Sequence, residues 1–319
     1  MRNFKNDGKT IILITHKLNE VKEIADEVSV LRKGKLVYSV NRDKLDIKEL
    51  SKQIIGDIDL SILISDDNLI KSESENNIIS KDKILTLGNI SVTDKSITKL
   101  YDINLDLYKG EILGICGVEG NGQSELTELI YGLNKKYTGL FTKNTNRISL
   151  VPDDRLKKGM IKEFSVGENL LLRIPCKNIF SKKLLREKEG ELIKEYDIRV
   201  PEVGDIMENL SGGNQQKAIV AREIKLNSDV IIFSQPTRGV DIKASSFIHQ
   251  KIFNEKMNGK GIILVSADID ELLALSDRLA VLFNGKIVKI FSKEELISGK
   301  QNSSELIEKI GQLMIGIGI

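Results

Sequence analysis

The sequence is poor in cysteine, with two in 319 residues. Cys116 and Cys176 have neither CxxC nor metal-ligand spacing, and a disulfide framework needs more of them in a far smaller domain. A reducing, cytosolic setting is therefore expected. Net charge is also scarce. The 48 Lys+Arg nearly balance 46 Asp+Glu, leaving +2, without the basic block or arm that a nucleic-acid partner requires. No apolar run reaches the roughly 18 residues of a membrane helix, and the opening MRNFKNDGKT lacks a signal-peptide apolar core. Any service to a membrane is expected from outside it. What is present is a globular composition, 40% apolar and 29% charged, in a chain long enough for two domains or for one with an extension.

The chain repeats itself. GKTIILITHKLNEVKEIADEVSVLRKGKLV, residues 8–37, aligns without gaps to GKGIILVSADIDELLALSDRLAVLFNGKIV, residues 259–288, with twelve of thirty positions identical. Each copy reads as a buried strand, an amphipathic helix, a second strand, a Gly-Lys hairpin turn and a third strand. The copies are 251 residues apart, so a first unit matching the second would begin well upstream of Met1. The expected division is residues 1–58 as the C-terminal remnant of a first unit, 59–82 as a polar linker and 83–319 as the second unit.

In the second unit, alternating and then continuous apolar patterns predict antiparallel strands leading into a buried central strand. Gly117 to Ser124, GVEGNGQS, follows it and fits the GxxxxGK[ST] phosphate loop except that Gln123 replaces the lysine. Gly117, Gly120 and Gly122 would let backbone N–H groups face phosphate oxygens, and a helix starting near Gln123 would add its positive end. Ser124 could reach a magnesium ion. The loop lacks a cation across the phosphates, which leaves transition-state charge less compensated. The alternative is an ordinary glycine turn between strand and helix.

The most specific stretch is Leu210 to Lys217, LSGGNQQK, ahead of the helical run AIVAREIKLN. Its bland reading is a Ser-capped helix with a flexible Gly pair. In order and spacing it resembles the signature of the ATP-binding cassette family. That resemblance implies an α/β fold, the P-loop NTPase cassette: a RecA-like mixed sheet with an antiparallel β subdomain and a helical subdomain at about 160–222. It further implies that Leu210, Ser211, Gly212, Gly213 and Gln215 form a signature contacting the γ-phosphate of ATP held by an opposite cassette.

Measured against the family, the second unit departs at several positions. In VIIFSQPTRGVD, residues 230–241, Ser234 stands where the family has a metal-side aspartate and Gln235 where it has the catalytic glutamate. Neither carries charge, and loss of a general base costs about 10²- to 10⁴-fold in rate. The repeat places His16 at the switch-histidine position of the first unit, against Ala267 in the second. Asp153 in VPDDR replaces the usual Q-loop glutamine, Asp241 ends the D-loop stretch PTRGVD, and Asp94 stands where an aromatic stacks on adenine.

Over nearly its whole length the chain resembles the second half of the double-cassette ATPases of bacterial sugar and ribonucleoside importers, closest to the nucleoside branch. The resemblance implies ATP and Mg²⁺ as ligands and a peripheral place on the cytoplasmic face of the membrane. It implies as partners an upstream first-cassette polypeptide, two transmembrane permease subunits and, through them, an extracytoplasmic substrate-binding lipoprotein. A groove near VPDDR would receive a permease helix. The second unit's signature would complete the first unit's site, while its own site is degenerate and hydrolyses ATP negligibly. A non-hydrolysing nucleotide-binding module, or the remnant of an interrupted gene, is the alternative. A soluble cassette acting on ribosomes or DNA is a third class, disfavoured by the lack of basic arms. Cys116 is expected in the core, His249 on a helix surface without a role, and the C-terminal helix packed on the domain.

Overall fold

The computed structural model describes residues 4, 7–15, 18–32, 34–46, 49–50, 53, 80, 82–94, 97–173, 182–202, 204–299 and 303–319. His16, Cys176 and most of the 59–82 linker lie outside them. The chain forms two compact units, Met1–Ser72 with Asp241–Ser246, and Glu73–Val240 with Phe247–Ile319.

In the first unit, helix α1 (Leu18–Ile24) precedes an antiparallel hairpin of β1 (Glu27–Arg32) and β2 (Lys35–Asn41). Val28, Val30 and Leu50 form its small core. Residues 10–15, expected as a buried strand, form none, and Ile12 and Ile14 are 88% and 96% exposed. The reason is the absence of pairing: a central parallel strand gains its bonds and burial from strands on both sides, and among the described residues no strand pairs with this segment.

The second unit is built on a six-stranded sheet. Its chain order is β3 (Lys83–Asp94), β4 (Ile97–Tyr108), β5 (Ile112–Cys116), α2 (Gln123–Tyr131), β6 (Tyr137–Lys143) and β7 (Ile148–Val151), followed by α3 (Val166–Leu171), α4 (Lys182–Glu195) and α5 (Gly212–Lys225). Then come β8 (Val230–Ser234), α6 (Ile242–Met257), β9 (Gly261–Val265), α7 (Ile269–Leu275), β10 (Arg278–Phe283), β11 (Lys286–Phe291), α8 (Lys293–Gly299) and α9 (Ser303–Met314). The sheet order is β11-β10-β5-β9-β8-β7, parallel except for the β10–β11 pair. A separate antiparallel sheet runs β4-β3-β6.

The continuous apolar runs read from the sequence are the strands buried on both faces. Alternate residues enter two cores: Ile112, Ile231, Phe233, Ile262 and Leu264 face one, and Leu113, Ile115, Ile232, Ile263 and Val265 the other. Cys116 sits in the first core, where burial pushes its thiol up to about 12. The C-terminal α9 packs through Leu306, Ile310, Leu313 and Met314, as its amphipathic pattern requires.

From the helix onward the repeat holds structurally. Helix α1 and strand β1 span the same repeat positions as α7 and β10, and the hairpins slip register at equivalent places, Val30/Leu31 and Val281/Leu282. In the second unit the other edge of β10 pairs with β5, and β9 lies between β5 and β8.

Charges tie the strand ends together. Glu111, fully buried, accepts from Tyr108 N at 2.8 Å and from Arg278 Nη1 at 2.9 Å. Burial pushes its carboxyl up to about 6, against the pull of Arg278. The folded state thus holds this proton more tightly than the unfolded chain. The resulting stability is complete below the ordinary value of 4.5 and is lost as pH rises through about 6, a difference of about 2 kcal/mol. Denaturant titrations across that interval are expected to show wild type gaining stability on acidification relative to Glu111→Gln. Parallel pH profiles for the two proteins would overturn the assignment.

Candidate functional site

The loop after β5 is shaped by its glycines. At Gly117 a Cβ would stand 2.5 Å from both Leu282 O and Gln123 Nε2, and Gly122 has φ +108° with Leu100 Cδ2 2.7 Å from its missing Cβ. A side chain at either position forces the loop apart. Leu126 N bonds Gly122 O at 3.0 Å, so α2 starts where the sequence places it. Gln123 Nε2 donates to Val118 O at 3.1 Å, folding across the loop where a lysine would extend. Asn121 fastens the loop to the β10–β11 turn: its side-chain oxygen accepts from Asn284 N and its carbonyl from Gly285 N, both at 2.9 Å.

Ser124 Oγ donates to Asp153 Oδ2 at 3.4 Å, bringing the loop and the VPDDR segment together. Asp153 follows β7 and precedes a π-helical turn, Arg155–Gly159, whose first amides are capped by Asp154. That turn returns Lys158 to Asp153 Oδ1 at 3.3 Å and to Glu128 Oε1 of α2 at 3.4 Å. Burial draws the Lys158 ammonium down, but Asp153 and Glu128 outweigh it and hold the group above its ordinary value. A cleft of about 360 Å³ beside them is lined by Thr127, Asp153, Lys158 and the buried Ser234.

Gln235 lies in the left-handed region at φ +51°, and its N donates to Val265 O at 2.8 Å. Its Oε1 accepts from Ala267 N at 3.3 Å, so the two positions where the family has its glutamate and histidine meet through a neutral amide. Asp94 is exposed at the end of β3 and offers no aromatic face. Asp241 Oδ1 accepts from Ala244 N at 2.9 Å at the start of α6.

The signature stretch opens α5. Ser211 is exposed at the N-cap, yet its hydroxyl caps no backbone amide and accepts from Asn214 Nδ2 at 3.0 Å. The Ser-capped reading of this helix start is therefore set aside. Leu210 and Gln215 are buried, and Gln215 Nε2 donates to Met207 O at 3.2 Å. Gly212 leaves room for Arg155, whose Nη2 lies 2.7 Å from its missing Cβ, while Arg155 Nη1 donates to Arg238 O at 2.8 Å. None of these bonds reaches Gln123 or Ser124, so loop and signature are built separately.

The sequence reading missed Lys158, Arg155 and a buried cluster. His249, expected on a helix surface without a role, is partly buried, and its Nε2 lies 2.8 Å from Glu271 Oε1, which also accepts from Thr237 Oγ1 at 2.8 Å. The correction has a tertiary cause, because α7 packs its buried Glu271 against the face of α6 that carries His249.

The ABC transporter family profile matches residues 100–238. The guanosine import ATP-binding protein NupO of Bacillus subtilis is 37% identical over 99% of this chain and 62% of its own length. The nucleoside import ATP-binding protein NupA of Lactococcus lactis is 34% identical over 99% and 63%. The ribose import ATP-binding protein RbsA of Clostridium tetani is 33% identical over 93% and 59%. The chain thus spans less than two thirds of each of these relatives. Among solved structures, the dimeric bacterial ABC transporter cassette MJ0796 aligns with a TM-score of 0.58 at 25% identity, covering 66% of this chain and 98% of that one. With its glycine loop, mixed sheet and LSGGNQQK helix, the chain carries an ABC transporter domain over residues 100–238, in the fold of an ATP-binding cassette.

Proposed function

We propose that this chain is the C-terminal part of the ATP-binding subunit of a bacterial importer for ribonucleosides or sugars. The observation that carries this reading is an asymmetry: an intact signature with an exposed Ser211 whose hydroxyl caps no backbone amide accompanies a site whose charged groups are replaced by Gln123, Ser234, Gln235 and Ala267. Gly117, Gly120, Gly122, Gln123 and Ser124 hold ATP in a degenerate site. Ser211, Gly212 and Gly213 complete the site of a first cassette, to which residues 1–58 and the switch histidine His16 belong. Asp241 lies in the D-loop between cassettes. Its partners are an upstream first-cassette polypeptide and two transmembrane permease subunits, with a substrate-binding lipoprotein reached through them, at the cytoplasmic face of the membrane. That NupO, NupA and RbsA are import ATP-binding proteins supports this reading.

A non-hydrolysing nucleotide-binding module is the second reading, favoured by the Gln123–Val118 bond that closes the loop on itself. Copurification from native membranes separates the two, since only the first expects permease subunits in the eluate. The purified chain alone is expected to bind ATP in equilibrium dialysis. Its phosphate release should lie at least about 10²-fold below that of a cassette with a working general base. Robust turnover by the lone chain overturns the proposed roles of Gln123, Ser234 and Gln235.

A further inference from the structure

The family implies Mg²⁺ beside Ser124, and the residues present fit it poorly. A hard dication takes six oxygen ligands and commonly one or two carboxylates along with the phosphates. Here Ser234 offers no charge at the end of β8, and Asp153 is the carboxylate bonded to Ser124. That carboxylate already carries the Lys158 ammonium at 3.3 Å, and the nearby Glu128 shares the same ammonium at 3.4 Å. A dication entering next to Asp153 meets the Lys158 ammonium, and the carboxylate bonded to Ser124 is already paired with it.

We propose that this site takes its nucleotide without a divalent metal, with Lys158 supplying the positive charge beside the phosphates. The inference rests on the reading that Gly117–Ser124 binds ATP. Lys158 is suited to the part. Its side chain is 47% exposed, so it can turn from Asp153 toward an incoming phosphate, and the π-helical turn brings it to Asp153 and to Glu128 of α2. Until nucleotide arrives, Asp153 holds the ammonium close to Ser124, to which the carboxylate is itself hydrogen-bonded. Two substitutions make one device: the family's glutamine has become the acid that anchors Lys158, and its metal-side acid has become the neutral Ser234.

ATP binding to the full 319-residue chain, measured by calorimetry with magnesium and again with excess chelator, tests this. The two dissociation constants are expected to agree within about twofold. Lys158→Met is expected to weaken metal-free binding by about tenfold, and magnesium should then recover part of the loss because Asp153 is freed. Lys158→Arg keeps the charge and should retain metal-free binding. Absence of ATP binding to wild type in both buffers overturns the nucleotide reading and this inference with it. Wild-type binding that chelation weakens tenfold or more overturns this inference alone, as does a Lys158→Met protein that melts like wild type and binds metal-free ATP equally well.

Discussion

Arginine in place of Ser211 is expected to lower ATP turnover of the assembled transporter by about 10²- to 10³-fold, while ATP binding to the loop of the same cassette stays unchanged. The physical basis is the α5 N-terminus. Ser211 is exposed, its hydroxyl is not used on the helix amides, and Gly213 and Gln215 behind it are buried and fixed. A phosphate arriving from an opposed cassette would find free N–H groups and the positive end of a 14-residue helix. A long cationic side chain at that position fills the approach. By contrast, Gln123→Ala should be tolerated, because the Gln123 amide is bonded to Val118 O within its own loop. ATPase and uptake assays on membranes carrying the complete assembly decide the matter, and undiminished turnover in the Ser211→Arg protein overturns the proposed sharing of sites.

Much of this architecture could be read from residue order, because the signals were local. VIIF and IILV are unbroken apolar runs, and each lies in a strand buried on both faces at the place expected. The turn from Cys116 through Gly122 into Gln123 is set by glycines whose neighbours forbid a Cβ. What escaped depends on distant or missing partners. Residues 10–15 carry the same apolar pattern as β9, but a pattern cannot supply the flanking strands that β9 has. His249 meets Glu271 across 22 residues, a pairing no periodicity encodes. Lys158 reaches Asp153 through a π-helical turn, a spacing outside the usual i+3 and i+4 faces of a helix.

The loop's precision depends on the strand that leads into it, and the start of that strand hangs on one buried acid. Asp277 Oδ2 accepts from Ile112 N at 2.9 Å and its Oδ1 from Lys256 Nζ at 2.8 Å, with side-chain exposures of only 5% and 10% for the pair. Asp277→Ala strands the Lys256 ammonium in a nearly dry site and leaves the first amide of β5 without its acceptor. The expected cost is about 3–5 kcal/mol, read as a lower midpoint in urea at unchanged slope. Asp277→Asn keeps an acceptor for Ile112 and should cost less. Replacing both partners with apolar residues, Asp277→Leu with Lys256→Met, should recover part of the Asp277→Ala loss, since the more buried of the two cations is then gone and Lys293, 3.7 Å from Asp277 Oδ1, is the more exposed one. A single-mutant loss below about 1 kcal/mol would instead mean that Lys256 finds water, and that β5 is held by its parallel neighbours β9 and β10 alone.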